Sequence, residues 1–139
     1  MKKVSLLMVV LLILSALILM KGCGYEDIIT DDGALPKEIK IGVFEPFTGA
    51  NAFGGELERK GIDLAHELYP TVTIDGIEIP VVLNYADNKS DKIESANAAK
   101  NLVYDFGAHI VLGSWGSSNA IASGSVFLDA KIPAIGTSC

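Results

Sequence analysis

Apolar and polar positions alternate along the chain in segments that predict four strands and three helices. Short β-rich apolar runs predict the strands, at 39–44, 79–85, 109–112 and 132–135. Apolar residues at helical spacing predict one buried face on each helix, at 53–69, 91–106 and 117–128. Asp75-Gly76 lies between two β-branched stretches and predicts a hairpin turn.

Regular alternation of strand and helix predicts a Rossmann-like α/β fold, with a mostly parallel sheet and helices on both faces. In such sheets ligands bind beyond the carboxyl ends of the strands. The candidate site is therefore formed by the loops that follow the strands, at 45–53, 86–90, 113–119 and 136–139.

The N-terminus has the pattern of an export signal. Lys2 and Lys3 precede residues 4–20, which contain fifteen apolar residues, two serines and no charge. An uncleaved membrane anchor is the alternative, because 17 residues is near the shortest apolar span of a bilayer. Gly22-Cys23 resembles the lipobox of bacterial lipoproteins, in which the cysteine carries the lipid, although Lys21 departs from that pattern.

These features predict a lipoprotein signal at 1–22, a flexible tether at 23–37 and one folded unit at 38–139. Both interpretations of the N-terminus tether the folded unit outside the cytoplasmic membrane, with lipid on Cys23 in the lipoprotein case. Without residues 1–22 the chain has 8 basic and 17 acidic residues. No basic cluster is present, which argues against a nucleic-acid partner.

The loops lack the motifs of common enzymes. The loop after the first strand has no G-x-G-x-x-G or P-loop pattern, and no G-x-S-x-G elbow occurs. His66-Glu67 lacks the second histidine of a metalloprotease helix, because the required position is Pro70. Cys23 and Cys139 form no zinc-binding pair. We therefore expect no enzyme activity, no metal and no cofactor.

Binding of a carboxylate fits the sequence better. Residues 113–119 (GSWGSSN) join a strand to a helix, and a helix N-terminus offers free N–H groups to an anion. Gly116 leaves room for a ligand, and Ser117 adds a hydroxyl. The alternative is that Ser117 or Ser118 only caps its own helix. Residues 136–139 supply a second hydroxyl-rich loop beside the first.

Two aromatic residues could cover a ligand side chain. Phe53 follows the first loop and Trp115 lies in the third. Their structural alternatives are packing of Phe53 on its own helix and of Trp115 on the core. Asp87, which ends the second strand, is expected to order the following turn through an Asx-type bond.

Taken together, four segments occur in an order and spacing that resemble a known family. They are residues 39–65 (IKIGVFEPFTGANAFGGELERKGIDLA), 84–91, 113–118 and 132–138. The resemblance is to the substrate-binding proteins of branched-chain amino acid ABC transporters, which have the type 1 periplasmic binding fold. It covers residues 38–139 and implies that the chain is the incomplete N-terminal lobe of a two-lobe protein.

The resemblance also implies a site. Ser117 and the Ser138 region would bind the carboxylate and ammonium groups of an amino acid, Phe53 would cover it, and Trp115 with Gly116 would line the side-chain pocket. The implied function is delivery of the amino acid to a membrane permease; the alternative is a ligand-sensing ectodomain of a receptor. Since members are more than twice this length, we expect the isolated chain to bind amino acids weakly or not at all.

Overall fold

The computed structural model describes residues 34–139. The signal at 1–22, lipidation of Cys23 and most of the tether lie outside the described residues. Five strands, three α-helices and one π-helical segment make up the described part. The strands are β1 (Ile39–Glu45), β2 (Thr71–Ile74), β3 (Ile77–Asp87), β4 (Ile110–Leu112) and β5 (Ala134–Ile135). The helices are α1 (Ala52–Leu68), α2 (Lys92–Lys100), which continues as a π-helical segment (Asn101–Asp105), and α3 (Ser117–Asp129).

The strands form one mostly parallel sheet in the order β2-β3-β1-β4-β5. Strand β1 lies at the centre and pairs in parallel with β3 and β4, and β5 pairs in parallel with β4. Strand β2 is antiparallel to β3, and Asp75 and Gly76 turn between them with φ of 51° and 80°. The α/β fold and the hairpin are thus confirmed, although β3 is longer at both ends than the predicted strand.

The main core lies between the sheet and helices α2 and α3. Phe44 of β1 and Phe127 of α3 meet edge to face, with ring centroids 5.5 Å apart. Leu102, in the π-helical segment, is fully buried in the same cluster. Right-handed crossovers place α2 and α3 together on this face and α1 on the other. Successive residues of β1 therefore face different layers, Phe44 toward the core and Glu45 toward α1.

Helix α1 forms as predicted, but its predicted buried face is wrong. Its buried residues are Gly54 and Gly55. The leucines of the apolar stripe are about half exposed or more, namely Leu57 at 49%, Leu64 at 56% and Leu68 at 63%. Periodicity identifies an apolar face, but it does not show whether another element packs against that face. No described element covers the apolar face of α1.

The same distinction applies to the apolar residues of α2 and α3. Ile93 of α2 and Ile121 and Leu128 of α3 are 73–78% exposed, whereas Val126 and Phe127 are buried as the core requires.

Within residues 34–139, no helix combines the length and apolar content that crossing a bilayer requires.

Candidate functional site

Two of the predicted binding loops lie side by side at the carboxyl edge of the sheet. Trp115, after β4, forms a parallel bridge with Ser138, after β5. The Gly116 N–H donates to the Ser138 carbonyl oxygen over 3.3 Å. The structure therefore brings together four of the five predicted ligand-binding residues, Trp115, Gly116, Ser117 and Ser138.

Ser117 is the first residue of α3 rather than its cap. Gly116 occupies the N-cap with φ of 95° and provides no side-chain hydrogen bond. In the described part of the chain, the backbone N–H groups of Ser117 and Ser118 have no acceptor, and both side chains are exposed. The interpretation of either serine as the cap is therefore wrong in this structure. These N–H groups and hydroxyls remain available to an anion at the positive end of the helix.

The two predicted aromatic residues are placed differently. Phe53 lies in the first turn of α1 and is 79% exposed, so it makes little contact with its own helix or the core. Trp115 is 37% exposed, and its ring lies against Gly54. A Cβ atom at Gly54 would lie 2.4 Å from that ring. The absence of a side chain at Gly54 therefore allows Trp115 to pack on α1 beside the proposed site.

Replacing Gly54 with alanine should displace the Trp115 ring. Because Trp115 is the chain's one tryptophan, its emission maximum and quenching by iodide report the movement directly. Gly61→Ala is the matched control: it lies on the same helix, and its Cβ would meet nothing within 4 Å. We expect G61A to keep the emission of the wild type and to gain about 0.5–1 kcal/mol of stability. Unchanged emission in G54A would contradict this placement of Trp115.

Asp87 anchors the first loop to the second. One of its carboxylate oxygens accepts from the N–H groups of Phe47, Thr48 and Lys89 at 2.8–3.1 Å. Burial by itself would raise the pKa of Asp87, but these bonds and that of the Thr48 hydroxyl outweigh it and lower the pKa. The bond from Lys89 confirms the predicted Asx-type turn. The bonds to Phe47 and Thr48 add a link between loops that the sequence did not predict.

Asn88, next to Asp87, belongs to a buried polar network below the Trp115 loop. Its side chain is fully buried and donates to the Ser114 hydroxyl at 2.7 Å. The side-chain amide of Asn119 on α3 donates in turn to Asn88 Oδ1 at 3.4 Å. This network fixes the start of α3 to the end of β3. In the sequence, the signal for this network was three small polar residues, Asn88, Ser114 and Asn119, each close to the end of a strand or the start of a helix.

Glu45 joins three parts of the site, a role that the sequence pattern did not predict. Its side chain is fully buried at the end of β1. Glu45 Oε2 accepts from the Trp115 N–H at 2.6 Å, and Glu45 Oε1 is 2.9 Å from the Thr137 hydroxyl. That hydroxyl is also 2.7 Å from Oε2 of Glu58 on α1. A carboxylate directly after the buried apolar residues Val43 and Phe44 was the available signal.

The environment of Glu45 disfavours a negative charge. Burial, followed by the hydrogen bond and the charge of Glu58, raises the pKa of Glu45 to about 8. The bonds from Trp115 and Thr137 act in the opposite direction but do not outweigh burial. The Glu45 carboxyl is therefore largely protonated at neutral pH.

Other features contribute little to a binding site. Among the described residues, no group of three or more histidine, cysteine, aspartate or glutamate side chains could hold a metal ion. A cavity of about 350 Å³ lies between α3 and the β4–β5 edge. Its lining is mainly apolar, including Phe44, Phe127 and Leu128, and contains no charged side chain to pair with a charged ligand.

The family model described as periplasmic binding protein matches residues 38–139. Among solved structures, a leucine-binding protein of Thermotoga maritima is similar, with 30% identity and a TM-score of 0.66. A branched-chain amino acid transporter substrate-binding protein of Streptococcus pneumoniae, in complex with isoleucine, has 31% identity and a TM-score of 0.66. A branched-chain amino acid transporter protein of Rhodopseudomonas palustris has 25% identity and the same TM-score. No curated protein matches the chain.

These similarities cover most of this chain and a small part of the others. The matches cover 72%, 73% and 73% of the present chain, respectively. They span 27%, 29% and 28% of the three solved chains. The shared part is thus one parallel sheet with its flanking helices, which is part of one lobe.

Proposed function

Because the chain belongs to the periplasmic binding protein family, whose similar members are substrate-binding proteins of ABC transporters, we propose that it forms the N-terminal lobe of an extracytoplasmic solute-binding protein. The ligand is an amino acid, branched-chain or similar, which the protein delivers to a membrane permease. The lobe itself performs no catalysis. Residues 23–37 tether it, and lipid on Cys23 holds it at the membrane.

The observation that carries this proposal is the free N-terminus of α3 beside the Ser138 loop. The Ser117 and Ser118 N–H groups and the exposed Ser117 hydroxyl can donate to a carboxylate. The Ser138 carbonyl oxygen, already paired with Gly116, lies where an ammonium group could approach. Trp115, in the same loop, supplies apolar surface for a ligand side chain, and the exposed Phe53, next in sequence to Gly54 on which Trp115 packs, would add to it.

One lobe provides only one wall of such a site. A ligand held between two lobes gains affinity from both, and the closed form is the state that binding favours. We therefore expect a dissociation constant for leucine in the millimolar range or weaker for the 139-residue chain.

Replacing Ser117 with alanine should weaken this binding further, because the Ser117 hydroxyl is one of its donors. Nuclear magnetic resonance of the full chain in detergent, titrated with leucine, follows the amide signals of Ser117 and Ser118. In the wild type these signals should move progressively, and in S117A the movement should fall at least about tenfold, since a charge-assisted hydrogen bond is worth about 1.5–3 kcal/mol. Ser125→Ala, an exposed serine on the same helix, is the matched control and should behave as the wild type.

Titration with benzoate tests the contacts of the carboxylate apart from those of the ammonium group. A carboxylate without an ammonium group should move the same Ser117 and Ser118 signals but not those near the Ser138 carbonyl. Equal movement in S117A and wild type, or movement confined to the apolar cavity behind α3, would contradict the proposed site.

A further inference from the structure

Two carboxyl groups face each other between β1 and α1, close to the proposed site. Glu45 is fully buried, and Glu58 Oε1 is a buried oxygen without a hydrogen-bond partner among the described residues. The Thr137 hydroxyl lies between them, 2.9 Å from Glu45 Oε1 and 2.7 Å from Glu58 Oε2.

The two contacts of Thr137 are both satisfied as hydrogen bonds when the pair carries a proton. A hydroxyl carries one hydrogen and can donate it to one carboxylate oxygen only. The second contact is a hydrogen bond when the other carboxyl is protonated and donates to Thr137. A proton between the two carboxyls also gives the buried Glu58 Oε1 a partner and removes the repulsion of two like charges beside the buried Glu45 side chain.

Two partners of the Glu45 carboxyl, the Trp115 N–H and the Thr137 hydroxyl, belong to the loops of the proposed carboxylate site. The Trp115 N–H bonded to Glu45 immediately precedes Gly116 and Ser117, and Thr137 immediately precedes Ser138. Glu58 adds a link from Thr137 to α1. One pair of side chains thus connects β1 and α1 to the two loops that carry the predicted ligand contacts.

The other charged groups around this pair are already engaged. Asp87 of β3, which pairs with Glu45 in the sheet register, accepts the bonds from the first loop. Arg59 of α1 pairs with Glu56 at 3.4 Å and Asp63 at 3.6 Å. Of the charged groups in the described part, Glu58 is the one whose charge acts on Glu45.

We propose that Glu45 and Glu58 share one proton and thereby position both loops of the ligand site, so that loss of this proton loosens the loops and weakens binding. Glu45 is a positioning residue here and does not touch the ligand. When the proton passes to solvent, the two carboxylates repel each other, Glu58 turns toward water, and Thr137 loses one of its two partners. Burial that raises the pKa of Glu45 to about 8 sets the range in which this happens.

The fluorescence of Trp115 tests the proton without any ligand. In the wild-type full chain in detergent, excited at tryptophan, emission should titrate with a midpoint near pH 8. Glu58→Gln keeps the side-chain size, removes the charge and can donate to Glu45, so the midpoint should fall by at least about one pH unit. Glu45→Gln should show no transition in this range. Glu56→Gln on the same helix is the matched control and should titrate as the wild type.

A flat wild-type titration between about pH 6 and pH 10, or an identical midpoint in E58Q, would overturn the proposal. If either variant fails to fold, which its circular dichroism would show, Thr137→Val supplies the test. The Thr137 hydroxyl lowers the pKa of Glu45, so the midpoint should rise when that hydroxyl is removed.

The leucine titration tests the consequence for binding, and this part rests on the proposed function. Movement of the Ser117 amide signal should decrease at least about threefold from pH 7 to pH 9 in the wild type, and clearly less in E58Q. An equal decrease in both would overturn the positioning role. If leucine moves no signal at any pH while Trp115 emission still titrates as expected, the proposed function is wrong. The proposal that Glu45 and Glu58 share a proton is then still supported.

Discussion

Gly113→Ala is expected to unfold the chain or to cost about 3–5 kcal/mol of unfolding free energy. Gly113 has φ of 125°, a conformation that L side chains rarely adopt. A Cβ atom there would lie 2.1 Å from the Phe44 carbonyl oxygen and 2.9 Å from Glu45 Oε1. Because Phe44 is fully buried in the central strand, that oxygen cannot move aside without disrupting the sheet.

Gly76→Ala separates backbone strain from the clash. Gly76 also has a positive φ, 80°, but its Cβ would meet nothing within 4 Å. Denaturant unfolding should give a loss of about 1–2 kcal/mol for G76A, from strain alone. Equal losses for the two variants would show that the close approach of β1 to the Gly113 loop contributes nothing.

The stability of the wild type should fall as the pH rises from about 4.5 to about 8. In that interval the unfolded chain has released the Glu45 proton, whereas the folded chain still holds it, so each step in pH favours unfolding. The full pKa difference corresponds to on the order of 5 kcal/mol, an upper bound for one group. Below about pH 4 the opposite trend begins, because the pKa of Asp87 is lowered in the folded state.

Glu45→Gln removes the ionisable group, so the stability should depend much less on pH in this interval. Denaturant unfolding of the wild type, E45Q and the control E56Q at several pH values measures the slope. E56Q should retain the wild-type slope, since Glu56 lies on α1 and pairs with Arg59 at the surface. A wild-type slope that survives in E45Q would mean that another group causes it.

Local patterns were sufficient to predict most of the fold. The strands of the sheet, the hairpin at Asp75-Gly76 and the cap of α2 are set by residues that are neighbours in sequence. The Asp91 side chain, for example, caps α2 by accepting from the N–H groups of Ile93 and Glu94, two and three residues further along the chain. The face that α1 leaves exposed could not be predicted in this way, because periodicity describes one helix and burial depends on what packs against it.

Only the part of the candidate site that depends on local sequence could be predicted. Gly116, Ser117 and Ser138 were identifiable because glycines and hydroxyls at strand ends are a local signal. The role of Glu45 was not, since its partners Glu58 and Thr137 are distant in sequence and meet only after the sheet forms. The packing of Trp115 on Gly54 likewise joins the third loop to the first helix, a contact between segments far apart in the chain.

A chimera tests the central claim, that this chain forms the amino-acid-binding surface of one lobe. Residues 38–139 would replace the matching segment of the Thermotoga maritima leucine-binding protein, which is 30% identical over it. Calorimetry with leucine should show binding by the chimera, at least about 100-fold weaker binding with Ser117→Ala, and no change with Ser125→Ala. A folded chimera that binds leucine equally well with and without Ser117→Ala would contradict the account.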